Sequence, residues 1–432
     1  MKLPKRLFVS ALALCMGVVA QAQQAREDFA KDITLSGAQN KAYPGPQKQL
    51  SPALEGYTPY YISHYGRHGS RYMIGKNDYD RPYDQMKKAA DAGMLTEKGI
   101  EVMEKVRQIR DEAKGRDSEL TPLGAQQHRD IAKRMYERFP EVFKGKTHID
   151  AKSTTVIRCI LSMENALQQL IALNPELTVT HDASAHDMYY MNFQDSVLIK
   201  QRIQGERSPE LWKSNMKYDN GERVVDLLFK DKNFLKENKI DGKRLVNKIF
   251  DLATSLQNTE LRDKIDLFDI FNLDEVYNYW AGGNAWWYVA YGNSPLSGGN
   301  QAFSQRNLVK KIISEADSCL AFPHPGATLR FGHDQMVMPL ACLLNINGYG
   351  KQMSLDELAN SDWINYRIFP MACNVQFIFY HKNDNDKDVI FKVLLNEDEA
   401  VLPDLKPFKG CYYKWSDFKE FFLKKINDYE KK

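Results

Sequence analysis

Two short β-prone segments lie far apart in this chain, and each hands a histidine to a loop just ahead of a helix. Pro59-Tyr60-Tyr61-Ile62-Ser63-His64-Tyr65 is aromatic and apolar enough to read as a strand, and it stops at Gly66. The residues that follow are Arg67-His68-Gly69-Ser70-Arg71. Ala327-Thr328-Leu329-Arg330-Phe331 reads as a second, buried strand that runs into Gly332-His333-Asp334, with an apolar helical run from Met336 to Leu344. The same strand-loop-helix order at both places fits an open α/β sheet, whose sites gather at the carboxyl ends of its strands. His68 and His333 are expected to meet there.

The first loop sets an imidazole between two guanidiniums. Fixed positive charges beside a histidine repel a proton from its ring and leave it neutral and nucleophilic. The same guanidiniums present forked donors that match the oxygens of a phosphate. This is the description of a phosphoryl-transfer site, with His68 attacking phosphorus in line with the leaving oxygen and becoming a phosphohistidine. Arg67, Arg71, Arg158 and His333 are the candidates to hold the equatorial oxygens through the transition state. Asp334 is placed to protonate the departing alkoxide, then to take a proton from the water that hydrolyses the intermediate. Arginines do the charge neutralisation, so the chemistry calls for no metal and no other cofactor. Gly-His-Asp alone is often a surface turn; its force here comes from repeating the setting of the first motif.

Between the two loops the pattern is mostly helical. Leu95 to Ala113 spaces Ile100, Met103, Val106 and Ile109 by three. Thr121-Pro122 marks a helix start, a capping hydroxyl followed by proline at the first position. That helix is expected to reach about Phe139, with Ile131 and Met135 on one face and His128 and Arg129 partly exposed. Ser153-Thr154-Thr155 leads into Arg158, after which Ile160, Leu161, Leu167, Leu170 and Ile171 form the apolar face of a helix ending near Leu173. Arg158 falls in its first turn, where the helix dipole disfavours a lone cation unless an anion compensates. From about His186 to Gly299 the texture changes. Charged helical stretches, Arg223 to Leu235 and Lys239 to Thr254, alternate with Tyr277-Asn278-Tyr279-Trp280 and Trp286-Trp287-Tyr288, which flank a Gly282-Gly283 break. The aromatics are read as the core of a mainly helical insertion, and Lys200, Arg202, Arg207 and Lys213 as a solvated face. Further strands are expected at Asn374 to His381 and Val389 to Leu395. An amphipathic helix from Trp415 to Tyr429 closes the chain.

The first residues read as a secretory signal: Lys2, Lys5 and Arg6, an apolar stretch from Leu7 to Ala20, and a small-x-small cleavage site at Ala20-Gln21-Ala22. Lipidation at Cys15 is the lesser reading, because Leu14 is bulky where such sites want a small residue. The apolar stretch is too short for a membrane span. Three of the 59 basic residues lie in this segment, leaving 56 against 56 acidic ones. No global field supports nucleic-acid binding, and any attraction for anions must be local. The expected location is periplasmic, secreted or at the cell surface. Five cysteines remain, Cys159, Cys319, Cys342, Cys373 and Cys411, with no C-x-x-C pair to suggest zinc. Export permits disulfides, and the pairing is open.

Arg67-His68-Gly69-Ser70-Arg71, the downstream Arg158 and the late His333-Asp334, in that order, resemble the histidine phosphatase superfamily, in the branch of acid phosphatases and phytases. Leu120-Thr121-Pro122-Leu123-Gly124 with Gln127-His128 is a helix start often seen in that branch. The resemblance implies an α/β core with a parallel-rich sheet and an inserted, mainly α-helical cap. The corresponding division is a signal at 1–22, core at 23–185, cap at 186–299 and core again at 300–432. It also implies His68 as nucleophile, Arg67, Arg71, Arg158 and His333 as phosphate ligands, and Asp334 as proton donor. Multiple inositol polyphosphate phosphatases, a related subgroup, carry His-Ala-Glu where this chain has His333-Asp334-Gln335. His-Asp phytases exist in the branch, so inositol phosphates stay open as substrates.

The reading is an exported, metal-independent phosphomonoesterase for small phosphorylated metabolites, inositol polyphosphates such as phytate among them. Sugar phosphates or a broad acid-phosphatase activity are the alternatives within the class. Outside it stand a phosphoester-binding protein without turnover and a surface glycan-binding protein. The oligomeric state is not legible.

Overall fold

The computed structural model describes residues 24–217, 221–383 and 389–431. The leader, its cleavage site and Cys15 lie outside the described residues. The chain forms the expected α/β architecture, an eight-stranded sheet of β1 (Thr58–Arg67), β2 (His148–Ser153), β3 (Thr178–Asp182), β4 (Gly326–Gly332), β5 (Asn374–His381), β6 (Ile390–Leu395), β7 (Asp398–Ala400) and β8 (Tyr413–Lys414). Their order is β3-β2-β4-β1-β5-β6-β7, with β8 also paired to β6. The first four in that order run parallel, and β1 is the seam beyond which β5 to β8 continue antiparallel.

β1 and β4 are buried along almost their whole length. A central strand covered on both faces carries apolar side chains on both, which is why neither segment alternates cleanly in sequence. The pleat still sorts them. Tyr61, Tyr65, Phe377 and Phe379 feed one cluster with the helices Arg306–Cys319, Asp334–Leu343 and Trp415–Glu430. Ile62, Ile378 and Tyr380 feed the opposite cluster, with the helices Pro122–Arg138 and Ile157–Leu173. Trp415, Phe418, Phe422 and Ile426 bury the inner face of the last helix as expected.

The Ile157–Leu173 helix presents a different face from the expected one. Leu161 and Ile171 are exposed, and the buried stripe is Cys159, Ser162, Met163, Ala166, Leu167 and Leu170. Small residues carry the close contact with its neighbours, so counting only large apolar side chains rotates the stripe. His128 is a second correction: it is fully buried, because the Pro122–Arg138 helix docks its flank on the loop after β1.

Between β3 and β4 the described residues form helices and no strand. The Gly282-Gly283 pair does not break this region; a single helix, Leu273–Tyr291, runs through it. A capping box of Asn272 and Glu275 starts that helix, and burial of Val276, Trp280, Trp287 and Tyr288 outweighs about 1 kcal/mol lost at each glycine. Part of this region shares one apolar cluster with the helices Asn77–Asp91 and Glu97–Glu112. The helical layer thus draws on two stretches of chain. Cys159, Cys319, Cys342, Cys373 and Cys411 are free thiols. Among the described residues no helix is long and apolar enough to cross a membrane.

Candidate active site

Strand register brings the two histidine loops together. Arg67 at the end of β1 is level with Gly332 at the end of β4, and Phe331 is level with Ser153 at the end of β2. Three parallel strands therefore finish side by side. The His68 amide donates to the Gly332 carbonyl (2.9 Å) and the Thr154 amide to that of Phe331 (3.0 Å). The rings of His68 and His333 lie 5.8 Å apart, edge to face. Glycine is required where the loop after β1 crosses the next helix start: a methyl group at Gly69 would be driven into the Gly124 backbone, and one at Gly124 into the Ser70 carbonyl.

The tautomer of His68 is set by its neighbour. Its Nδ1 lies 2.8 Å from the Gly69 carbonyl, which can only accept, so Nδ1 carries the proton and Nε2 keeps its lone pair. Burial, then Arg67, Arg158, Arg71 and His333 in turn, push the proton affinity of the ring well below that of an ordinary histidine. The neutral, nucleophilic ring expected from the sequence follows, and burial adds to the arginine effect.

Each guanidinium is held by one side and left open on another. Arg67 is fully buried; its Nη1 donates to the carbonyls of Gln39 (2.6 Å) and Phe369 (3.2 Å), and its Nη2 lies 2.7 Å from the Asp334 carboxylate. Arg71 donates from Nη1 to the Tyr72 carbonyl (2.9 Å), and Arg158 from Nη1 to the Ser118 hydroxyl (2.6 Å). The Nε groups of Arg67, Arg71 and Arg158 are buried without a hydrogen-bond partner. Buried N–H groups are costly to leave idle, and three converging cations repel one another. Burial and the charges of Arg67 and Arg158 pull Arg71 down to about 10. An arriving anion relieves both costs at once.

His333 faces Thr154, whose hydroxyl lies 3.2 Å from Nε2. Burial lowers the pKa of His333 to about 4; Asp334 opposes this, and Arg158, Arg67 and Arg71 add to it. Asp334 opens the Asp334–Leu343 helix and accepts from the Gln335 amide (2.8 Å). Burial pushes its carboxyl up, but Arg67, Arg71 and His333 outweigh that and hold it below the usual aspartate value. Asp334 is therefore ionised at neutral pH.

All six residues singled out from the sequence thus stand in one cluster: His68, Arg67, Arg71, Arg158, His333 and Asp334. Sequence reasoning missed the groups that hold them. Gln39 and Phe369 act through carbonyl oxygens, which any residue supplies, so no side-chain signal marks them. Thr154 sat beside the Arg158 motif and had no assigned part. Arg202 was read as solvated; it lies over the Tyr291 ring (5.1 Å) and donates to the Tyr291 hydroxyl (2.8 Å). Burial, with a contribution from Asp334, raises that hydroxyl to about 12 against the pull of Arg202. The Arg202–Tyr291 pair thus lies within the electrostatic influence of Asp334.

The sequence profile of the histidine phosphatase superfamily (branch 2) matches residues 66–396. No curated protein matches the chain. Among solved structures, the fold is similar to that of Bifidobacterium longum multiple inositol polyphosphate phosphatase in complex with phosphate. That match has a TM-score of 0.69 and 17% identity, covering 90% of this chain and 97% of the other. It is also similar to the phytase from D. castellii (TM-score 0.64, 13% identity, 91% and 85% covered). The Hafnia alvei phytase is more distant (TM-score 0.53, 11% identity, 86% and 98% covered).

Proposed function

The chain belongs to branch 2 of the histidine phosphatase superfamily and is a phosphatase; on that premise we propose that it hydrolyses inositol polyphosphates through a phosphohistidine on His68. The observation that carries the mechanism is the buried, uncharged His68 ring with Nε2 free, set among three guanidiniums with unused N–H groups. A phosphomonoester supplies acceptor oxygens for those N–H groups. Its phosphoryl oxygens take the N–H donors of Arg67, Arg71 and Arg158, together with His333. His68 Nε2 attacks phosphorus, the P–N bond forms as the P–O bond to the alcohol breaks, and Asp334 delivers its proton to the leaving oxygen. Water then attacks the phosphohistidine, giving a proton back to Asp334 and releasing inorganic phosphate.

Arg67, Arg71 and His333 hold the Asp334 carboxyl low, so its acid role depends on substrate. The incoming dianion offsets the charge of Arg67 and Arg71, the groups that hold the carboxyl low, and its own negative charge raises the proton affinity of Asp334. Substrate thus loads its own acid.

Fold likeness to an inositol polyphosphate phosphatase and to phytases supports the substrate class. The division into a core at 23–185 and 300–432 and a cap at 186–299 is part of this reading, as is export by the leader ahead of residue 23. A panel of phytate, glucose 1-phosphate and an aryl phosphate, assayed with chelator present throughout, tests it. The expected result is phosphate release from phytate with the highest kcat/KM of the three. Preference for glucose 1-phosphate, with phytate untouched, would assign a sugar-phosphate phosphatase instead.

A further inference from the structure

We propose that Asn258 is a positioning residue of the hydrolytic site, a side chain from the helical region that fixes the nucleophile loop through Ser70 without touching substrate. The inference rests on the phosphatase reading above. Ser70 has no chemistry assigned to it, yet it is fully buried and each of its polar groups is engaged. Its amide donates to Gln127 Oε1 (2.8 Å), and its carbonyl accepts from the Thr121 amide (2.9 Å) and hydroxyl (3.1 Å). Its hydroxyl accepts from Gln127 Nε2 (2.9 Å) and donates to Asn258 Oδ1 (2.7 Å).

Asn258 is itself fully buried and uses both ends of its amide. Nδ2 donates to the Asn40 carbonyl (2.7 Å) and to the Ser255 carbonyl (3.2 Å). Carbonyls take only donors, so the amide has a single workable orientation and Oδ1 must face Ser70. The residue before Asn40 completes a second link. Gln39 gives its carbonyl to Arg67, and its side-chain oxygen accepts from Trp287 Nε1 (3.1 Å). Ala38, just ahead, holds φ 51° and ψ −114°, a conformation that costs an alanine energy and persists only where its surroundings over-determine it. One turn of chain is thus clamped between the helical region and the two ends of the Arg67–Arg71 loop. Asn258 ties it to the Ser70 end and Trp287 to the Arg67 end.

The consequence is kinetic. Loss of the Asn258 amide frees Ser70 between His68 and Arg71, and a shift on the order of 1 Å in such groups costs roughly a hundredfold in rate. The test compares Asn258→Ala, Ser70→Ala and the double variant on an aryl phosphate and on phytate, with thermal unfolding of each. We expect kcat to fall about ten- to a hundredfold for both substrates, with KM moving less than about threefold. The double variant should be no worse than its poorer parent. If Asn258→Ala does not fold, Ser70→Ala removes the same hydrogen bond from the other side, leaves the Asn258 links to Asn40 and Ser255 in place, and should show the same kcat loss on both substrates. An active wild type beside an undiminished Asn258 variant overturns the positioning role alone. So does a loss confined to the KM of phytate, which would make Asn258 a substrate contact, or a double loss equal to the product of the singles. Absence of wild-type turnover on either substrate overturns the phosphatase reading instead.

Discussion

His68 and Asp334 divide the chemistry because their surroundings act on them in opposite senses. Burial and three arginines both disfavour a proton on His68, so its nucleophilic form persists well into acid. At Asp334 burial favours the proton and the arginines oppose it, so the balance shifts when substrate neutralises the arginines. Asp334→Asn keeps the shape of the side chain and removes the proton. The expected outcome is a loss of about 10²- to 10⁴-fold in kcat for an alkyl phosphate, whose alkoxide leaves poorly, and a much smaller loss for a nitrophenyl phosphate. Equal losses on the two substrates would remove the acid role. The six charged or nucleophilic residues of this cluster were legible in sequence because their chemistry is written in their side chains; two loops place five of them in short runs, and Arg158 stands apart in the first turn of a helix. Gln39 and Phe369 were not, since they serve through main-chain carbonyls whose position only the fold decides.

Among elements, the contact that aligns the site is the crossing of the loop after β1 with the start of the Pro122–Arg138 helix. Thr121 caps that helix by accepting from the Gly124 amide, and Pro122 occupies its first turn. Backbone meets backbone there, with no room for a methyl group between Gly69, Ser70 and Gly124. Gly124→Ala should therefore lower stability by roughly 3 kcal/mol or more and cut turnover even in the fraction that folds. Denaturant unfolding and kcat of the folded fraction check both; unchanged values would mean that the loop and helix part easily. The helix start was legible from Thr121-Pro122, and the strands from their apolar runs. The buried flank was not. His128 reads as a polar helix residue, but its ring packs against Phe331 (5.5 Å) in the interior. Likewise Cys159, Ser162 and Ala166 give a weaker hydrophobic signal than Leu161 and Ile171, although they lie in the buried stripe and those two are exposed.

On the scale of the whole molecule, the site leaves a mark on stability. His64 and His128 are buried, and burial lowers each to about 3; His333 falls to about 4, and His68 is also held low. An unfolded histidine titrates near about 6.5. The neutral forms belong to the native state, so their contribution is complete above about pH 6.5 and is lost as pH falls toward the folded values. Near pH 5 these four rings by themselves should take up close to four protons on unfolding, about 5 kcal/mol per pH unit of slope, to which carboxylates held low, such as Glu101, add as pH falls further. Denaturant unfolding at several pH values measures it, and a slope near zero from pH 6 to 5, above the range where carboxylates titrate, would show that these rings are already charged in the native state. The central claim concerns a covalent bond. Enzyme mixed rapidly with a labelled phosphomonoester, quenched in base where phosphohistidine survives, and mapped by peptide should carry the label on His68, and the label should vanish in His68→Ala. Turnover with no label on His68, or label on another residue, would contradict the account.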